Sequence, residues 1–160
     1  MELIVKELLD KVNANIGIAV TKSRMVLEPY RQVYPSNLVE ATDKMLDEIY
    51  NTRVTITDTR ALDDAIDMYL KTTRPYKEEE AKATINEILE EAVGAVIDPI
   101  FDKYSAEAPK LVCSSKIYEN FCDYVLDEIA YNLESTRNTT KIVDKIMSSW
   151  RYHEIEDFEL

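Results

Sequence analysis

Asp63, Asp64 and Asp67 form the string DDxxD. On a helix Asp63 and Asp67 stand one turn apart, and carboxylates so placed can share a divalent cation such as magnesium. That ion would serve a hydrolase or transferase acting on a nucleotide or diphosphate. The neighbours offer a plainer role. Arg60 lies four residues from Asp64 and Lys71 four from Asp67, the spacing of intrahelical ion pairs on a solvated face. A second acidic stretch holds Glu78, Glu79, Glu80, Glu87, Glu90 and Glu91. It follows Pro75, and carboxylates are favoured in the first turn of a helix by its dipole.

The DDxxD string resembles the one that holds magnesium and diphosphate in isoprenoid synthases. The resemblance spans five residues, and no second metal motif follows at a matching place. It implies Asp63, Asp64 and Asp67 as the metal ligands. The glutamate stretch departs from the EExxE pattern of all-helical nucleotide pyrophosphohydrolases, because Glu79 and Glu80 are followed by Ala81, Lys82 and Ala83. The single histidine, His153, has no glutamate three residues before it, which excludes the ExxH pairs of di-iron bundles. Neither Cys113 nor Cys122 has a nucleophile's signature context. Both read as reduced thiols, with a bridge between them left open.

The elements that position these residues are helical. Apolar residues recur at i, i+3, i+4 and i+7 along most of the chain. The spacing predicts a first helix from Glu2 with Leu3, Val5, Leu8, Leu9 and Val12 inward, ending near Gly17 or continued past it by Ile16, Ile18 and Val20. A second stretch covers Ser23 to Val33, with Pro29 bending it or in its first turn. Asn37 and Glu40 suit a capping box before Leu38–Tyr50. Arg53–Thr57 is β-branched but lacks a strand to pair with, so it reads as a loop. A helix from Thr57–Thr59 to Leu70 follows. The segment from Pro75 to Tyr104 predicts a kink or break at Pro99. Two further helices cover Ser114–Leu133 and Ile142–Trp150, with Tyr50, Tyr69, Tyr104, Tyr118 and Tyr124 in the core or at its rim.

The fold class is therefore all-α, a compact bundle of six or seven amphipathic helices. Residues 1–152 form one helical domain and 153–160 an acidic C-terminal tail. A faint internal echo recurs at a spacing of 80: Leu46-Asp-Glu-Ile49 matches Leu126-Asp-Glu-Ile129, and Pro29 matches Pro109. A chain of 160 residues can bury roughly 70% of its unfolded surface without disulfide or metal. Only two glycines are present, so glycine-rich phosphate loops are absent. Charged residues interrupt the first apolar stretch and every later one, which predicts neither secretory signal nor membrane span, and a cytoplasmic protein.

The net charge of −12 disfavours nucleic acid and anionic membrane. Its distribution is uneven. Residues 1–80 carry 15 acids and 11 bases, and residues 81–160 carry 16 and 8. Opposite charges lie four apart throughout the first half, as at Glu7/Lys11, Arg24/Glu28, Asp67/Lys71 and Arg74/Glu78. Beyond residue 83 only Lys103/Glu107 does so, while acids face acids at Glu87/Glu91, Asp98/Asp102, Glu119/Asp123 and Asp123/Asp127. Each like pair costs a few tenths of a kcal/mol. Glu87, Glu91, Asp98, Asp102, Glu119, Asp123 and Asp127 are thus the candidate partner-binding surface. They predict a non-catalytic protein that docks another protein with a basic surface, as inhibitor, antagonist or adaptor. The alternatives are the magnesium enzyme and a self-associating structural subunit.

Overall fold

The structure is a computed structural model that describes residues 2–111 and 114–159, with side chains described to residue 151. Every regular element among the described residues is helical. The order is α1 (Glu2–Leu27), a 3-10 turn (Glu28–Tyr30), α2 (Ser36–Tyr50), α3 (Arg60–Lys71), α4 (Pro75–Glu107) and a second 3-10 turn (Ala108–Lys110). Then come α5 (Ser115–Phe121), a π turn (Cys122–Leu126), α6 (Asp127–Glu134), a third 3-10 turn (Ser135–Arg137) and α7 (Thr140–Glu159). Five of these helices have 12 residues or more. Residues 115–134, expected as one helix, divide around the π turn into the short α5 and α6, so five long helices stand among the described residues where six or seven amphipathic helices were expected.

Several expected boundaries move. α1 does not stop near Gly17, because Ile16, Ala19, Val20, Ser23 and Leu27 continue its buried stripe to Leu27. One interior glycine costs about 1 kcal/mol, less than that burial returns. Leu3 points outward, and Ile4 takes the inward place. Pro29 starts the 3-10 turn after α1 rather than lying in a second long helix. Pro99 lies inside α4 without ending it. Arg53–Thr57 is a loop, as its lack of a partner strand predicted, and Val54 plugs it into the core. The capping box at Asn37 does not form: α2 begins at Ser36, and Asn37 Nδ2 donates to the Leu111 carbonyl instead. α7 carries the helix through to Glu159, so the backbone of residues 153–159 is helical. The side chains of His153 and the acidic tail, and all of Cys113, lie outside the described residues.

The chain divides into two compact units. One holds residues 1–13, 54–93 and 137–160; the other holds 14–53 and 94–136. In the first, Ile4, Leu8 and Val12 are buried with Leu62, Ile66, Ile85, Leu89, Val143 and Met147. Polar anchors surround that core. Lys82 bridges Glu79 at 2.9 Å and Asp144 at 3.0 Å. Arg151 lies over the Tyr69 ring at 5.2 Å and pairs with Glu78. Thr139 Oγ1 is 2.9 Å from Asn86 Oδ1 at the start of α7.

In the second unit, Ile16, Val20, Leu27, Leu38, Leu46 and Ile49 are buried with Phe121, Val125 and Ile129. Buried Thr42 and Tyr104 share a hydrogen bond of 2.7 Å. Asp43 and Asp47, a like pair in the sequence, are relieved by arginines from outside α2. Arg31 grips Asp43 through two nitrogens at 2.6 and 3.1 Å and Glu28 at 2.6 Å. Arg24 pairs with Asp47 and approaches Asp43 at 3.8 Å.

Candidate functional site

The DDxxD carboxylates are directed to their own helix. Asp63 accepts a hydrogen bond from Thr59 Oγ1 at 2.9 Å, and Asp67 pairs with Lys71 at 3.0 Å. Asp64 is exposed, and its expected partner Arg60 pairs with Asp58 at 2.9 Å. Among the described residues no group of three or more His, Cys, Asp or Glu is placed to hold a metal ion. Two glutamates of the second stretch are likewise occupied structurally, Glu78 by Arg151 and Glu79 by Lys82.

The seven candidate acids separate between the units. Glu87 and Glu91 belong to the first; Asp98, Asp102, Glu119, Asp123 and Asp127 belong to the second. Six are exposed, and Asp98 is half-buried with an interaction of its own. Lys103, counted with Glu107 in the sequence, approaches Glu48 at 3.7 Å. Glu119, Asp123 and Asp127 all act on Cys122, a half-buried free thiol. Burial pushes that thiol up from its usual range, and the three carboxylates push it further, against a lowering hydrogen bond from Tyr118. A thiol held protonated in this way is not an activated nucleophile. Tyr118 in turn is pushed up to about 12, by burial first and then by its bond to Cys122.

Aromatic side chains accompany these acids. Tyr124 and Tyr131 are 63% and 76% exposed, so of the core and rim places its periodicity allowed, Tyr124 is not in the core. Tyr50 is also exposed, at 59%. Tyr34 stands edge-on to Phe121 at 5.2 Å and beside Tyr30 at 6.0 Å. Burial raises the Tyr34 hydroxyl above its usual range, with Tyr30, Tyr124 and Asp123 adding to the rise. Asp123 and Tyr124 thus border an aromatic cluster anchored on Phe121. Sequence reading found the acids but not Tyr131, whose signal was its place seven residues after Tyr124 with Asp127 and Glu128 between.

A hollow of about 60 Å³ between α2 and α4, lined by Lys44, Glu48, Lys103 and Tyr104 among others, has room for little more than water. No family model, curated protein or solved structure matches the chain.

Proposed function

We propose that the protein is a non-catalytic interaction protein that docks a basic protein surface through the acidic, tyrosine-bearing face of residues 115–134. The observation that carries this reading is the pair Tyr124 and Tyr131, more than half exposed among exposed Glu119, Asp123, Asp127 and Glu128. Seven residues span about 10 Å of helix, so the two rings are two turns apart with carboxylates between them. Tyrosines supply contact area at low entropic cost, and carboxylates steer a basic partner. Asp98 and Asp102 of the same unit add to its negative charge, and Glu87 and Glu91 to that of the other unit. The protein then acts as an inhibitor, antagonist or adaptor of that partner. The test is affinity capture from the native host at low and high salt, with Asp123→Lys/Asp127→Lys and Tyr131→Ala variants beside the natural protein. The partner is expected to be lost at high salt and from both variants. Capture unchanged by salt and by charge reversal overturns the reading.

We also infer that the chain is an internal duplication in which the second half follows the first at an offset of about 80 residues, shifting by one residue either way between elements. Buried Thr42, Met45, Leu46 and Ile49 have counterparts in buried or core-facing Phe121, Val125, Leu126 and Ile129. The spacings are three, one and three in the first set and four, one and three in the second. The extra residue falls where the π turn lies, Asp127 N donating to the Cys122 carbonyl five residues back. Ile4, Leu8, Val12 and Ile16 on α1 find counterparts in Ile85, Leu89, Val93 and Ile97 on α4. Leu62, Ala65 and Ile66 find them in Val143, Ile146 and Met147. Each compact unit draws segments from both halves, and each half has a 3-10 turn carrying its proline, Pro29 or Pro109. Deletion of Asp123 from the π turn, set against deletion of Lys44 from α2, tests this reading: the first is expected to fold and the second not.

A further inference from the structure

The first unit carries a groove of about 430 Å³ whose walls come from α1 and α7. Three lysines line it, Lys11, Lys141 and Lys145, together with Ile142, Ile146 and Glu7. In a chain with 31 acids this is a local reversal of sign. The sequence assigned Glu7 to Lys11 four residues on, but Glu7 Oε2 accepts the Trp150 indole N–H at 2.6 Å. Among the described residues no carboxylate forms an ion pair with Lys11, Lys141 or Lys145. Ile146 is buried and Ile142 half-buried, so the ammonium groups stand beside an apolar wall.

We propose that this groove binds a small anionic amphiphile, a carboxylate or phosphate on a hydrocarbon body. Three cations against one engaged carboxylate select the anion. The isoleucines select the hydrocarbon, and the volume lies in the range of small-molecule pockets. The groove lies wholly within one unit and is separate from the acidic face proposed above, so the two readings stand or fall independently.

Trp150 is the chain's single tryptophan and is tied to the groove residue Glu7, so its emission is a probe beside this site. The experiment titrates the full chain with decanoate and decyl phosphate below their micelle-forming concentrations, followed by Trp150 emission and by calorimetry. Decanol, decyltrimethylammonium, inorganic phosphate and a short acidic peptide serve as comparators. Both anionic amphiphiles are expected to bind, decyl phosphate the tighter if the site is built for a dianion and decanoate if for a monoanion. Lys141→Glu and Lys145→Glu should each weaken binding by about 2–5-fold, and the double variant by more than either. All these substitutions fall on exposed side chains, and an unchanged melting temperature shows that the variants fold. Binding of decanol or decyltrimethylammonium as tight as decanoate overturns the proposal, as does inorganic phosphate binding as tight as decyl phosphate. So does displacement by the acidic peptide at equal concentration, or lysine variants that bind unchanged. Absence of binding by either anionic amphiphile overturns it outright.

Discussion

Asn13 holds both polar groups of Val54. Its Oδ1 accepts the Val54 N–H at 2.8 Å, and its Nδ2 donates to the Val54 carbonyl at 3.1 Å. The side-chain amide thus substitutes for the neighbouring strand that the β-branched run Arg53–Thr57 lacks. Val54 is only 1% exposed, so without Asn13 its peptide groups would be buried with no partner. Asn13→Ala is expected to destabilise the protein by about 2–3 kcal/mol in urea unfolding. Asn13→Asp keeps the acceptor but turns a carboxylate toward two carbonyls, Val54 and Leu9, and should also destabilise. A loss below about 0.5 kcal/mol in both variants would mean that the loop is held by Val54 packing alone.

The π turn carries a second prediction. On the duplication reading, Cys122–Leu126 contains one residue more than its counterpart in α2. Removing exposed Asp123 should let residues 121–134 close into regular α-helix, with Phe121, Ile129 and Leu133 still facing the core. Removing exposed Lys44 from α2 has no such outlet and rotates every later residue of that helix by about 100°. The first deletion is expected to give a cooperatively folded protein by circular dichroism and urea unfolding, and the second an unfolded one. Equal damage from both would remove the duplication reading.

These two examples show what the sequence could and could not reveal. Helical periodicity identified the elements because each is amphipathic on its own, as at Leu62, Ala65, Ile66 and Tyr69. It left the end of α1 open and started a separate stretch at Ser23, since Gly17 and Pro29 are local signals while the stripe from Ile16 to Leu27 depends on packing. Charge pairing followed the same division. Asp67/Lys71 is local and forms, whereas Glu7 and Glu78 are taken by Trp150 and Arg151 from far along the chain. A three-dimensional partner outcompetes an exposed i,i+4 pair worth only a few tenths of a kcal/mol. The three groove lysines were visible as letters, but their convergence was not, because α1 and α7 meet only in the fold.

Gly17 sits in the middle of α1 with no positive φ. A Cβ built there would meet Tyr50 Cε2 at 3.9 Å, an ordinary van der Waals contact. Gly17→Ala therefore gains helix propensity without strain. Thermal or urea unfolding should show stabilisation of about 0.5–1 kcal/mol. A loss instead would mean that the helix needs closer approach at this point than the contact with Tyr50 indicates.

Alkaline pH should unfold the protein earlier than its composition suggests. Burial raises Tyr104, Tyr118 and the Cys122 thiol, while hydrogen bonds to Glu79 and Asp144 raise Lys82. Each group holds its proton more tightly when folded. Its stabilising contribution is complete below the unfolded value, 9.0 for the thiol and 10.0 for Tyr118. It disappears as pH climbs through the folded value, about 12 for Tyr118. Urea midpoints are expected to fall between pH 9 and 11, and Tyr118→Phe should flatten the decline. A midpoint that stays level over that range would contradict the raised values.

Asp123 lies between Glu119 and Asp127, all three exposed and all acting on the Cys122 thiol. Repulsion across four residues costs about 0.2–0.5 kcal/mol for each pair. Asp123→Asn removes both repulsions, keeps the side-chain shape and leaves the buried residues alone. The variant is expected to be more stable by roughly 0.5 kcal/mol at low salt, with the gain shrinking as salt rises. If the acidic face binds a basic partner, the same substitution weakens capture, since residues kept for binding are often poor choices for stability. A more stable variant that captures less would separate a binding role from a merely solubilising one. A stable variant with undiminished capture would place the binding energy on the tyrosines or elsewhere, and a destabilised one would mean that Asp123 has a structural role its exposure does not suggest.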